Sequence, residues 1–110
     1  MHETIIEKLS YLPVGLGDKK FSKNCITDKS GVNISNKNSF YGEYTFHYWI
    51  WKNHINKIKT KWVGFCQYRK FFAKEKINET NINFKSFKNS LIHEVEETNE
   101  KVDCILGKKF

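Results

Sequence analysis

Three short apolar runs, separated by two longer segments with helical spacing, most constrain the fold of this chain. The runs occupy residues 11–17 (YLPVGLG), 62–66 (WVGFC) and 102–106 (VDCIL), and each is too short to form a buried helix. Between them, apolar residues recur three and four positions apart in residues 43–58 and 84–97. Strands that alternate with helices are typical of α/β domains with a parallel or mixed sheet. We therefore predict an α/β fold.

Each helical segment has a predicted core stripe. In residues 43–58 the stripe consists of Tyr44, Tyr48, Trp51, Ile55 and Ile58, while Phe46, Trp49 and Ile50 lie off it. In residues 84–97 it consists of Phe84, Phe87, Leu91 and Val95. We predict that both Trp49 and Trp51 are core residues, because aromatic side chains within a helical apolar pattern are more often buried than bound to a ligand. A further short amphipathic helix is predicted over residues 1–10.

Two segments carry polar residues that could form a binding site. Residues 62–66 are predicted to form a central strand, and Gln67, Tyr68, Arg69 and Lys70 follow it directly, where α/β proteins bind ligands. Residues 18–42 are predicted to form a long irregular loop. Within this loop, residues 28–35 fit either an Asx-type turn or a ligand-binding loop. Arg69 fits either a ligand contact or a structural ion pair, for example with Glu43.

The net charge of +7 is weak support for binding to nucleic acid. Of the 19 basic residues only Arg69 is an arginine, whereas base and phosphate recognition favours the bidentate guanidinium group. The lysines are also spread along the whole chain. A small basic module that binds nucleic acid or an acidic protein is therefore the alternative hypothesis, and nucleic acid is not the favoured partner.

The cysteines and the lengths of the apolar runs indicate a cytoplasmic protein. Cys25, Cys66 and Cys104 have no metal-binding or redox spacing, and Cys66 and Cys104 are predicted to be buried thiols because they lie in apolar runs. No apolar run approaches the ~20 residues that a membrane-spanning helix needs. Residues 1–10 lack the apolar core of a signal peptide.

Several motifs in order resemble a bacterial family of glycosyltransferase-like domains of formally unknown function from capsular and exopolysaccharide biosynthesis loci. The matching segments are DKSGVNISNKN (28–38), YGEYTFHYWIWKN (41–53) and GFCQYRKFF (64–72). Two positions depart from the family pattern: Gln67 replaces a histidine, and Lys70 replaces a second arginine. Glutamine cannot act as a general base, so any proton transfer by that histidine is lost here.

This resemblance implies an incomplete GT-A-like (Rossmann-like) sheet with flanking helices, forming a single partial domain over residues 1–110. It also implies that the first strand and the C-terminal half of the family domain are missing. The parent reaction would transfer a sugar from a nucleotide-sugar donor to a glycan acceptor, and the chain alone is expected to be inactive. Arg69 and Lys70 would hold the donor diphosphate, with Tyr68 beside them and Asp28 and Asn33 near the donor or acceptor.

A divalent metal is compatible with the complete domain, because metal ions commonly stabilise the departing diphosphate in such transfers. The Asp-x-Asp motif of many such folds does not occur in this chain. The sequence therefore assigns no metal ligand and no catalytic residue.

Overall fold

The computed structural model describes residues 2–67, 70–77, 82–95, 103, 104 and 106. The chain divides into two compact units, Met1–Lys59 and Thr60–Phe110. The first unit contains helices α1 (His2–Lys8), α2 (Asn38–Tyr41) and α3 (Tyr44–Asn53) and strands β1 (Val14–Gly15) and β2 (Ile26–Thr27). It also contains short 3-10 helices at Ser35–Lys37 and Ile55–Lys57. The second unit contains helix α4 (Phe84–Ser90).

The first unit has a small parallel sheet. Val14 of β1 pairs with Ile26 of β2, and Gly15 pairs with Thr27, so both strands end at the same edge. The strand predicted within residues 11–17 is confirmed, whereas the prediction of one irregular loop over residues 18–42 is wrong. β2 was missed because two strand residues are too few to give a period-two pattern. The fold described is α/β-like, with a two-stranded sheet.

Helix α1 confirms the helix predicted over residues 1–10, and a Schellman motif ends it. The amide of Tyr11 donates to the carbonyl of Ile6 at 3.1 Å, and the amide of Ser10 donates to that of Glu7 at 2.9 Å. Ser10 takes the left-handed conformation that this motif requires, with φ 64°. Leu9, directly before it, is fully buried.

Helix α3 confirms the helix predicted from Glu43, although it ends at Asn53 instead of residue 58. The predicted core stripe is wrong, because the buried residues of this helix are Thr45, Phe46 and Trp49. Tyr44 is 65% exposed and Trp51 is 57% exposed. The prediction of a core position is thus confirmed for Trp49 and wrong for Trp51.

Helix α4 starts where the sequence predicts and ends earlier. The Asn83 side chain caps it by accepting a hydrogen bond from the amide of Ser86 at 2.8 Å. Leu91 follows the helix in an extended conformation, is fully buried, and forms an isolated antiparallel bridge with Ala73. Chain pairing around Leu91 therefore ends the helix before Val95. Residues 96–97 lie outside the described residues.

The prediction of a central strand over residues 62–66 is wrong. None of these residues belongs to a strand, and Val63 and Phe65 are 40% and 38% exposed. No strand in the described ranges pairs with this segment, so its apolar residues have no sheet to pack within. Cys66 and Cys104 are exposed, which corrects the prediction of buried thiols. Of the strand predicted over residues 102–106, Val102 and Ile105 lie outside the described residues, and Asp103, Cys104 and Leu106 do not belong to a strand.

Candidate functional site

Helix α3 anchors the loop of residues 28–35, the segment that contains two predicted site residues. Asn53 donates from Nδ2 to the carbonyl of Val32 at 2.8 Å and accepts at Oδ1 from the amide of Val32 at 3.1 Å. Trp49 donates from Nε1 to the carbonyl of Ser30 at 2.7 Å. The loop is therefore attached to the helix at two points one helical turn apart.

Gly31 lies between these two attachment points. Its φ of 61° is in the left-handed region, and a Cβ at this position would overlap Oδ1 of Asn53. Glycine is thus required here both for its backbone conformation and for the close approach of the Asn53 side chain.

Asn33 holds the loop from within. Its Nδ2 donates to the carbonyls of Lys29 at 3.2 Å and Gly31 at 2.9 Å. Its Oδ1 accepts from the amide and hydroxyl of Ser35 at 3.2 Å and 3.1 Å. These bonds form the Asx-type turn that the sequence allows at this position. Asn33 shapes the loop that begins at Asp28.

Asp28 follows the last residue of β2 and is fully buried, with 0% of its surface exposed. Neither carboxylate oxygen has a hydrogen-bond partner within the described part of the chain. Buried polar groups are nearly always paired, and an unpaired buried carboxylate is costly in free energy. Asp28 is therefore a strong hydrogen-bond acceptor with unused capacity at the carboxyl edge of the sheet.

An open groove of about 640 Å³ lies beside the exit of β1. It is lined by Leu16, Gly17, Asp18, Lys19, Phe21 and Asn38. Lys29 lies nearby, because its Nζ is 3.5 Å from the carbonyl oxygen of Lys19 and 5.9 Å from the centre of the Phe21 ring. None of these residues was predicted to belong to a site. The sequence signal that could have found Leu16 and Gly17 is their position directly after the strand predicted within residues 11–17.

The remaining predicted site residues are not brought to this loop by the described structure. Tyr68 and Arg69 lie outside the described residues. Lys70 belongs to the second unit, where it is exposed and its amide donates to the carbonyl of Gln67 at 2.9 Å. The structure thus brings Asp28 and Asn33 into one loop, and their relation to residues 68–70 stays a prediction.

The described residues contain no group of three or more histidine, cysteine, aspartate or glutamate side chains arranged to hold a metal ion. They also include no helix whose length and hydropathy would allow it to cross a membrane.

The comparisons with known proteins identify a family. No curated protein and no solved structure matches the chain. The family model described as a domain of unknown function (DUF4422) matches residues 2–110, a range that includes the anchored loop, helix α3 and residues 68–70. The chain therefore belongs to the DUF4422 family.

Proposed function

We propose that this chain binds a nucleotide-sugar donor as part of a glycosyltransferase-like domain in surface-polysaccharide biosynthesis. The observation that carries the proposal is Asp28, a fully buried carboxylate without a partner among the described residues, placed after a parallel strand. Ligands of α/β proteins bind outside the carboxyl ends of the strands. A sugar or ribose offers hydroxyl donors, which are the groups that a carboxylate accepts.

Arg69 and Lys70, which follow the apolar run of residues 62–66, are proposed to bind the diphosphate of the donor. Transfer of a sugar leaves negative charge on the departing diphosphate, and cationic side chains stabilise that charge. Arg69 and Lys70 are the right residue types for this role, and arginine can bind a phosphate through two parallel hydrogen bonds. Support for these two residues comes from their chemistry and from the order of the motifs in the sequence.

A thermal-shift titration of the full chain with a panel of nucleotide sugars tests the proposal. A ligand at about 100 times its Kd stabilises a protein by about 2.7 kcal/mol, which corresponds to a readily measured rise in Tm. We expect this rise for at least one nucleotide sugar. We expect it to disappear in Asp28→Asn and in Arg69→Ala.

Two matched variants control for general effects of charge. Asp103→Asn removes a carboxylate that is exposed in the second unit, and Lys74→Ala removes an exposed cation. Both should keep the ligand-induced rise in Tm. The proposal is overturned if no nucleotide sugar raises the Tm, or if Asp28→Asn and Arg69→Ala respond as the unmodified chain does.

Two further measurements separate this proposal from other functions. A basic module for nucleic acid would show salt-dependent retention on a polyanion matrix that does not change in Arg69→Ala. In a transfer assay with radiolabelled donor, we expect the chain alone to bind without turnover. Turnover by the purified chain would contradict that expectation while leaving the donor-binding proposal intact.

A further inference from the structure

The groove beside β1 has the composition of a binding site for a phosphorylated ligand. Leu16 and Gly17 line it directly after β1, and Lys29 lies two positions after β2. Because β1 and β2 are parallel, both loops leave the same edge of the sheet. The groove is open to solvent and has a volume of about 640 Å³.

Lys29 provides a positive charge at this edge. Asp28 is buried, whereas Lys29, the next residue, is exposed. The Lys29 ammonium has a long contact with the carbonyl of Lys19 and lies over the Phe21 ring. No carboxylate of the described residues pairs with it. This ammonium group is therefore free to bind an anion.

Asn38 provides an oriented acceptor. Its Nδ2 donates to the carbonyl of Gly42 at 2.9 Å and to the hydroxyl of Thr45 at 3.2 Å, which fixes the direction of the amide. Its Oδ1 receives no hydrogen bond within the described ranges and faces Gly17, where a Cβ would lie 3.1 Å away. Gly17, with φ 83°, keeps this side of the groove open.

Phe21 completes the lining with an apolar ring. The ring lies against Gly15, because a Cβ there would overlap three of its carbon atoms. Asp18 is the one carboxylate among the groove residues, and it would repel a phosphate placed beside it while accepting hydroxyl donors. The groove thus combines a cation, an aromatic ring and two hydroxyl acceptors.

We infer that this groove binds the nucleoside diphosphate part of the donor, with Lys29 contacting a phosphate and Asn38 accepting a hydrogen bond from a sugar hydroxyl. This inference rests on the proposed function and deepens it. It adds Lys29, Phe21 and Asn38 to the donor site. It also assigns a phosphate contact outside residues 68–70.

The test is an NMR and thermal-shift titration of the full chain with UDP, GDP and inorganic pyrophosphate. We expect the amide signals of Gly17, Lys19 and Lys29 to shift with a nucleoside diphosphate, and its affinity to fall at least tenfold in Lys29→Gln. Lys20→Gln removes an exposed neighbouring charge outside the groove lining and should bind with unchanged affinity. Pyrophosphate has no sugar hydroxyl, so its binding should weaken in Lys29→Gln and should not respond to Asn38→Ala.

The outcomes distinguish the assignment of the groove from the proposed binding of a nucleotide-sugar donor. If Lys29→Gln and Asn38→Ala keep full affinity while Asp28→Asn and Arg69→Ala lose it, the donor binds elsewhere and the groove assignment is wrong. If no nucleoside diphosphate or nucleotide sugar binds the unmodified chain, both claims fail. Folding of each variant is checked by its proton–nitrogen spectrum, and Lys29→Arg, which keeps the charge, should restore most of the affinity.

Discussion

The Asn53 side chain hydrogen-bonds both the amide and the carbonyl of Val32, at 3.1 Å and 2.8 Å. These two contacts join helix α3 to a loop 21 positions earlier in the chain, and the same Nδ2 also donates to the carbonyl of Trp49 at 2.9 Å. Every donor and acceptor of this amide is therefore used. Asn53 is the main polar link between the helix and the loop that carries Asp28.

Replacing Asn53 by alanine should destabilise the first unit. The change removes the hydrogen bonds of Asn53 to Val32 and Trp49, each of which contributes about 0.5–1.5 kcal/mol to stability. Chemical denaturation measures the effect. Asn56→Ala is the matched control, because Asn56 is exposed in the adjoining 3-10 helix and should change stability by less than about 0.5 kcal/mol. Equal effects of the two variants would contradict the assigned role of Asn53.

Gly31→Ala should destabilise the chain by more than backbone strain alone. Gly31 has a φ of 61°, where a residue with a Cβ costs about 1–2 kcal/mol. The new Cβ would also overlap Oδ1 of Asn53. Chemical denaturation measures the loss of unfolding free energy, and Gly64→Ala, where φ is not positive and nothing lies within 4 Å, is the control.

A double mutant extends this comparison. In an Asn53→Ala background the overlap at residue 31 no longer exists, so Gly31→Ala should cost only the backbone strain of about 1–2 kcal/mol. Additive effects of Gly31→Ala and Asn53→Ala would show that the two residues are not coupled.

Gly15→Ala should displace the Phe21 ring from the edge of the groove. The new Cβ would overlap ring atoms close to the Phe21 backbone, which cannot move aside as the end of a flexible side chain would. We expect a loss of about 1–3 kcal/mol in unfolding free energy, the usual cost of overpacking. Gly64→Ala, where nothing lies within 4 Å, is the control and should be near neutral. In a Phe21→Ala background, which lacks all three overlapping atoms, Gly15→Ala should cost little, and an unchanged cost there would contradict the assignment.

The two tryptophans of α3 show which features of this helix could be predicted from the sequence and which could not. Apolar spacing predicted the helix and its start, since those depend on residues within the segment. The orientation of the helix depends instead on Trp49 and Asn53, which hydrogen-bond to Ser30 and Val32. Those partners lie about 20 positions away, and hydrophobic periodicity contains no information about them. The predicted stripe with Trp51 therefore lies on the exposed side.

The sequence also predicted some features of the candidate site but not others. The order of the motifs predicted Asp28 and Asn33 as site residues. The Asx-type turn around Asn33 was one of the two alternatives predicted for residues 28–35. The burial of Asp28 was not predictable, because Asp28 lies directly after β2 and β2 is too short to be seen in the sequence. Likewise, residues 62–66 have the composition of a strand, but a strand also requires a partner to pair with.

The tryptophan assignment itself is testable. Trp49 is 7% exposed and donates to Ser30, so Trp49→Phe should lose about 1 kcal/mol or more of stability. Trp51 is exposed and lies under the Lys52 ammonium, 3.9 Å from the ring centre, so Trp51→Phe should have a small effect. In a Trp62→Phe background, Trp49→Phe leaves Trp51 as the single tryptophan and Trp51→Phe leaves Trp49. Acrylamide should quench the fluorescence of Trp51 strongly and that of Trp49 weakly. The reverse order would contradict the orientation of α3.

Asp28→Asn should make the free chain more stable while removing its response to a nucleotide sugar. The carboxyl group is fully buried and has no hydrogen-bond partner in the part of the chain described, so replacing it with a neutral amide of the same size should lower the free-energy cost of burying this side chain. We expect a gain of about 1 kcal/mol or more in unfolding free energy, whereas Asp103→Asn, at an exposed position, should change it little. A residue that lowers stability in the free protein and is needed for binding is typical of a functional site. Loss of stability in Asp28→Asn would show that the carboxylate is already paired within the protein, and would remove the main support for a donor at this edge of the sheet.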